Sequence, residues 1–101
     1  MSNTAWLPQG PALLFAPADR PERFAKAADR SDMVILDLED GCRAENRAEA
    51  RQNVIHADLD PECTIVRINP IDSPDFADDL AAVTDSPFRT VICLLYTSDA
   101  A

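Results

Sequence analysis

The stretch Met33-Val34-Ile35-Leu36-Asp37-Leu38-Glu39-Asp40-Gly41 decides the fold reading. Its first four residues form an apolar run, too short for a helix and suited to a buried strand. The run ends in closely spaced carboxylates, so a strand interior gives way abruptly to a charged strand end. Working outward, three further runs have the same character: Leu13 to Ala16, Thr64 to Ile68, and Thr90 to Leu95. Near-continuous apolarity, rather than alternation, predicts strands covered on both faces, as in a parallel sheet.

Helical patterns fill the intervals. Asp19 and Glu22 have capping-box spacing, Pro21 suits a first turn, and Phe24, Ala27 and Ala28 share one face. A second pattern runs from about Ala44 to Ile55, with Ala44, Ala48 and Ile55 as a weak apolar stripe. The third starts with Ser73 as N-cap and Pro74 at the first helical position, followed by Phe76, Leu80 and Val83 on one face. The order is therefore β-α-β-α-β-α-β, which predicts right-handed βαβ units in an α/β fold. A full (β/α)8 TIM barrel takes roughly 250 residues. The 101 residues are read as a single incomplete barrel domain of three βα units plus a fourth strand.

Bulk composition excludes several classes. With 18 acidic and 9 basic residues the net charge is −9, which argues against a nucleic-acid partner and against an anionic membrane surface. No apolar run is long enough to span a bilayer, and residues 1–10 lack the pattern of a secretory signal. Cys42, Cys63 and Cys93 are widely spaced, so neither a disulfide framework nor a zinc site is expected, and a cytoplasmic setting follows. Two glycines, Gly10 and Gly41, cannot build a phosphate-binding loop or a dinucleotide turn. His56 stands alone near the end of the second helical pattern, where a surface position is expected.

In parallel α/β folds, ligands gather at the carboxyl ends of the strands. Here those ends carry Arg20, then Asp37, Glu39 and Asp40, then Arg67. The carboxylates suit magnesium binding, orientation of an arginine or general-base work; equally, they suit helix capping and loop solvation. Arg67, in an otherwise apolar strand, needs a partner. That partner is a substrate carboxylate or carbonyl, an internal ion pair with the acids of the preceding strand, or both. Arg20 and Lys26 read by default as solvated helix residues.

The segments Leu14 to Ala27, Leu36 to Gly41 and Val66 to Pro70 together resemble the HpcH/HpaI aldolase and citrate lyase superfamily, which includes malyl-CoA and citramalyl-CoA lyases. The resemblance covers about Pro11 to Val91. It implies a barrel that makes or breaks a carbon–carbon bond in a CoA thioester of a 3-hydroxy acid. Mg²⁺ would act as Lewis acid on the oxo-acid half, in a homotrimer or larger assembly. It implies that Phe15, Arg20 and Lys26 contact substrate or CoA, and that Arg67 binds the carboxylate or carbonyl of the reacting acid. Asp37, Glu39 and Asp40 would lie beside the metal, orienting Arg67 and the metal's waters. The direct ligands, a Glu and an Asp, would come from later strands beyond residue 101. Asp37, Glu39 and Arg67 are the expected catalytic group. Two departures stand out: Ala18 replaces the usual glycine, where its methyl would crowd a backbone approaching CoA phosphates, and residues 92–101 do not follow the pattern, as in a truncated or misjoined frame. The competing class is a small flavodoxin-like binding or signalling domain. A receiver domain of that kind needs paired acids after its first strand, whereas here Asp19 stands alone. A third reading is an inert fragment.

Overall fold

A computed structural model describes residues 12–93. Four strands, β1 (Leu13–Pro17), β2 (Met33–Asp37), β3 (Thr64–Ile68) and β4 (Val91–Cys93), alternate with α1 (Phe24–Arg30), α2 (Arg47–Ile55) and α3 (Phe76–Asp85). All three strand pairings are parallel and the spatial order is β1-β2-β3-β4. Consecutive order with right-handed crossovers places every helix on the same face of the sheet. A flavodoxin-like sheet reverses direction at a switch point, so the sequential order overturns that reading. The architecture is α/β, the first part of a (β/α)8 barrel. Of the tail read as residues 92–101, Ile92 and Cys93 lie in β4, and residues 94–101 lie outside the described residues.

Strand register sorts the side chains. Ala16, Leu36 and Val66 stand level across three strands on the helix side, joined by Val34 and Ile68. These side chains pack with Phe24 of α1, Ala50 and Val54 of α2, and Val83 of α3. The opposite face carries Phe15, Ile35 and Ile65 in one level row, then Pro17, Asp37, Arg67 and Ile92 in the next. Each fully buried aliphatic side chain contributes about 1.5–3 kcal/mol, so the helix-side row holds the sheet to its helices.

Four expectations need correction. The strands are not all covered on both faces: Leu13 and Phe15 are 54% and 53% exposed on β1, and β3 alternates buried with half-buried residues. Asp19 does not cap α1; a 3-10 turn from Pro21 to Arg23 leads into the helix, and the Asp19 carboxylate instead accepts from Asn46 Nδ2 at 2.9 Å. The apolar stripe of α2 is Ala50 and Val54, while Ala44 and Ala48 are exposed, because a 3-10 turn over Ala44–Asn46 rotates the following helix. α3 begins at Phe76, later than expected, since Ser73 caps a turn before it, accepting from the Asp75 amide. Leu80 is exposed, and Asp79 lies buried on the face shared by Phe76 and Val83.

Helix ends are closed by serines. Ser31 Oγ donates to Ala27 O at 2.6 Å and Ser86 Oγ to Val83 O at 2.7 Å, satisfying carbonyls that the last turn leaves open. Among the described residues no helix is long and apolar enough to cross a membrane. Of the three thiols, Cys42 is buried, Cys93 half-buried and Cys63 exposed. Burial pushes the Cys42 thiol up to about 11.

Candidate active site

The site forms because Asp37 and Arg67 are register partners at the ends of β2 and β3, on the face away from the helices. Arg67 Nε donates to Asp37 Oδ1 at 3.0 Å, and Nη2 donates to Oδ2, a bidentate pair. Two backbone amides complete the carboxylate: Glu39 N–H to Oδ1 at 2.8 Å and Gly41 N–H to Oδ2 at 2.9 Å. Each oxygen thus accepts two hydrogen bonds, and Asp37 is only 2% exposed. Wrapping the loop this tightly requires glycine. A Cβ at Gly41 would lie 2.6 Å from Asp37 Oδ2.

Arg67 is held from two further directions. Its guanidinium lies 4.9 Å from the centroid of the Phe15 ring, a cation–π contact. Glu39 Oε1 is 3.6 Å from Nε. The hydrogen bonds to Asp37, with its charge and those of Glu39 and Asp40, hold the guanidinium protonated above the ordinary arginine value. Among the described residues Nη1 has no hydrogen-bond partner, and the side chain keeps 19% of its surface exposed. The geometry is that of a rigid guanidinium with one donor edge available, in front of an aromatic ring.

Of the residues singled out in the sequence, Phe15, Asp37, Glu39 and Arg67 come together. Asp40 is exposed on the loop that follows. Arg20 is a surface residue whose ion pair is with Glu22 at 3.9 Å. Lys26 is exposed on α1 and, with Arg23 and Arg30, lines a groove beside β1, an edge strand among the described residues, that Phe15 also borders. Ala18 is fully buried in the core and its carbonyl accepts from Asn53 Nδ2 at 2.9 Å. Its methyl therefore packs into the core.

Magnesium does not fit these residues as direct ligands. Both oxygens of Asp37 are saturated by nitrogen donors. Among the described residues no group of three or more His, Cys, Asp or Glu side chains is arranged to hold a metal ion.

A second polar group escaped the sequence reading. Asp79 of α3 is fully buried and accepts from Arg51 Nε at 2.8 Å, from the Asn69 amide at 2.9 Å and from Asn69 Nδ2 at 2.7 Å. Asp75 takes Arg47 Nη1 at 2.9 Å and Arg51 Nη2 at 2.7 Å. Arg47 Nη2 reaches the Glu39 carbonyl at 3.1 Å. The available signal was an acid on the apolar stripe of α3, facing arginines four apart on α2.

The comparisons with known proteins bear on the family and the fold. The sequence pattern of the HpcH/HpaI aldolase/citrate lyase family matches residues 12–95. The chain is 52% identical over 83 residues to a citrate lyase subunit beta-like protein of Mycobacterium tuberculosis, covering 82% of this chain and 30% of that one. It is 44% identical over 66 residues to an L-malyl-CoA/beta-methylmalyl-CoA lyase of Cereibacter sphaeroides, covering 60% of this chain and 21% of the lyase. A solved structure of the M. tuberculosis citrate lyase beta subunit complexed with oxaloacetate and magnesium superposes with a TM-score of 0.80 at 51% identity, covering 83% of this chain and 38% of the other. The chain thus spans about a third or less of the length of these relatives. With the fold and the sequence match over residues 12–95 in agreement, this chain belongs to the HpcH/HpaI aldolase/citrate lyase family.

Proposed function

We propose that residues 12–93 form the oxo-acid-gripping wall of a magnesium-dependent carbon–carbon lyase acting on a CoA thioester of a 3-hydroxy acid. The observation that carries this reading is Arg67: charged, fixed by Asp37 and Phe15, and with one nitrogen left over. A planar guanidinium in this state suits the carboxylate or carbonyl oxygens of an oxo acid. Bound there, it would offset negative charge as the carbon–carbon bond breaks or forms, and its rigidity avoids reorganisation during reaction. Asp37 is a positioning residue. Its oxygens are saturated, so it acts through Arg67 and not as a base. Glu39, close to Arg67 and more weakly held, is the carboxylate available to touch a substrate or a metal-bound water. Phe15 shapes the same wall, with Lys26 and Arg20 farther out toward the CoA portion.

Magnesium enters through the relative complexed with oxaloacetate and magnesium, and its ligands would lie outside the described residues. The 101-residue chain alone is therefore expected to show no magnesium-dependent turnover of malyl-CoA. Measurable turnover by the purified chain would contradict this assignment of ligands.

The test of the reading is a chimera in which the matching segment of the C. sphaeroides lyase is replaced by that of this chain. Arg67→Ala in an active chimera should reduce kcat/KM for malyl-CoA by roughly 10²–10³-fold while the protein stays folded. Near-normal kinetics in that variant would remove Arg67 from the site.

A further inference from the structure

At the end of β3 the main-chain ladder is broken and a side chain takes over one rung. Asp37 and Arg67 are the last residues that β2 and β3 pair with each other. One bond of the parallel ladder continues past them: Leu38 N–H donates to Arg67 O at 2.8 Å. The next rung would be Asn69 N–H to Leu38 O. It is not made. The Asn69 amide turns to the buried Asp79 carboxylate at 2.9 Å, and Asn69 Nδ2 donates to Leu38 O at 3.0 Å in its place. Asp79 Oδ2 also receives Nδ2, at 2.7 Å, which fixes the orientation of the carboxamide.

The Leu38 peptide is thereby clamped on both sides by residues flanking Ile68: its N–H by Arg67 O, its C=O by the Asn69 side chain. Leu38 separates Asp37 from Glu39, the two carboxylates that face Arg67. Asn69 is 4% exposed and Asp79 fully buried, so water does not compete for these bonds. Pro70 follows directly and biases Asn69 toward extended backbone, which keeps the side chain on the side where the rung is needed.

We infer that Asn69, oriented by Asp79, is a positioning residue: its carboxamide replaces a main-chain rung and sets the distance between Arg67 and the Asp37–Glu39 segment. What the positioned arginine binds rests on the reading of Arg67 given above; the positioning itself does not.

The experiment uses the 101-residue chain, labelled with ¹⁵N and ¹³C, and follows proton exchange at Arg67 Nε, at the Leu38 amide and at the Asn69 carboxamide. In the unmodified chain the Asn69 carboxamide protons should exchange at least about tenfold more slowly than those of Gln52, which is exposed. Equal rates would overturn the inference without any variant. Asn69→Ala should accelerate exchange at Arg67 Nε and Leu38 by about tenfold relative to Val34 and Ile35 in mid-strand. Arg51→Gln, which loosens Asp79 from its other side, should accelerate all sites together. Uniform acceleration in Asn69→Ala, matching that in Arg51→Gln, would reduce Asn69 to ordinary stability and sink the idea. If Asn69→Ala fails to fold, the carboxamide comparison in the unmodified chain still decides. A pyruvate titration of the same sample separates the two proposals. No shift at Arg67 Nε would count against the oxo-acid reading while leaving the exchange result standing.

Discussion

Two aspartate–arginine clusters lie close together in this chain, built from the same side chains at similar distances, and they do opposite things. Between α2 and α3, Arg51 is bound by both Asp75 and Asp79, and Asp79 is fully enclosed. Arg51 Nη1 has only the exposed Asp78 carboxylate, at 3.9 Å, and the buried Arg47 Nε has no hydrogen-bond partner among the described residues. At the strand ends, Asp37 is saturated as well, and Arg67 is likewise bound through Nε and Nη2 with Nη1 left over, but it lies on the face of the sheet away from the helices, against the Phe15 ring. The difference lies in placement. Arginines and acids interlocked between two helices make a structural tie. An arginine held by a saturated acid on the face of the sheet away from the helices, beside an aromatic ring, makes a prepared donor. A buried ion pair is therefore not a site by virtue of its charge; where its unbonded edge faces decides.

The comparison breaks most visibly at Asp79. Asp79→Ala leaves Arg51 Nε and the Asn69 amide without their acceptor in a buried place, although Arg51 keeps Asp75; the loss should be about 2–4 kcal/mol. Urea unfolding should show a lower midpoint at unchanged slope. Asp79→Leu combined with Arg51→Met should recover much of the loss, since paired removal takes away the stranded charge. A loss below about 1 kcal/mol in the single variant would mean that this cluster is solvated and not a tie. Next in size is Gly41→Ala. The added methyl meets Asp37 Oδ2 at 2.6 Å, so the loop must withdraw and its amide leaves the carboxylate. A loss of about 1–3 kcal/mol is expected, together with weaker pyruvate binding followed at Arg67. Unchanged stability and binding would show that Asp37 does not depend on the loop.

How much of this was legible beforehand divides along the same line. Strand positions were readable because Met33–Leu36 and Thr64–Ile68 are short apolar runs with sharp polar ends, and β3 has the bounds its sequence implies. Asp37 and Arg67 could be paired because both close a strand, and parallel neighbours bring strand ends level. The tie between α2 and α3 was hidden. Arg47 and Arg51 look like a solvated face until α3 is laid beside them, and the stripe assigned through Ala48 and Leu80 pointed the wrong sides inward. Helical phase is set by the preceding turns, a 3-10 turn at Ala44–Asn46 and a hydrogen-bonded turn before Phe76, which weak periodicity cannot locate. The side-chain rung of Asn69 was invisible for a different reason: it depends on the main chain leaving the ladder, a purely three-dimensional event.

The strand-end cluster can be sharpened through its aromatic wall. Phe15→Leu keeps an apolar side chain on β1 but removes the ring face beside Arg67. With the ring exposed by half, the contact is worth about 0.5–1 kcal/mol. Pyruvate binding by the chain should weaken roughly two- to fivefold, with little change in thermal midpoint. An unaltered affinity would assign the orientation of Arg67 to Asp37 alone.

The smallest effect concerns a third carboxylate at the same end of the sheet, partnered by a neutral amide in place of an arginine. Asn46 Nδ2 donates to Asp19 Oδ2 at 2.9 Å, and this bond holds the Asp19 carboxyl below its ordinary value of 3.8. A lowered folded-state value means the carboxylate form is favoured by folding. The stabilisation is present in full above the unfolded value and is lost as pH falls through the lower folded one. Asn46→Ala should cost about 0.5 kcal/mol at pH 7. The difference in thermal midpoint between the two chains should stay constant down to about pH 5 and shrink as the pH drops below 3.8. A difference that grows on acidification would reverse the sign and show that Asn46 favours the protonated acid. A neutral partner supplies orientation with only a weak hold on charge, and for that reason Asp19 anchors a loop while Asp37 can prepare an arginine.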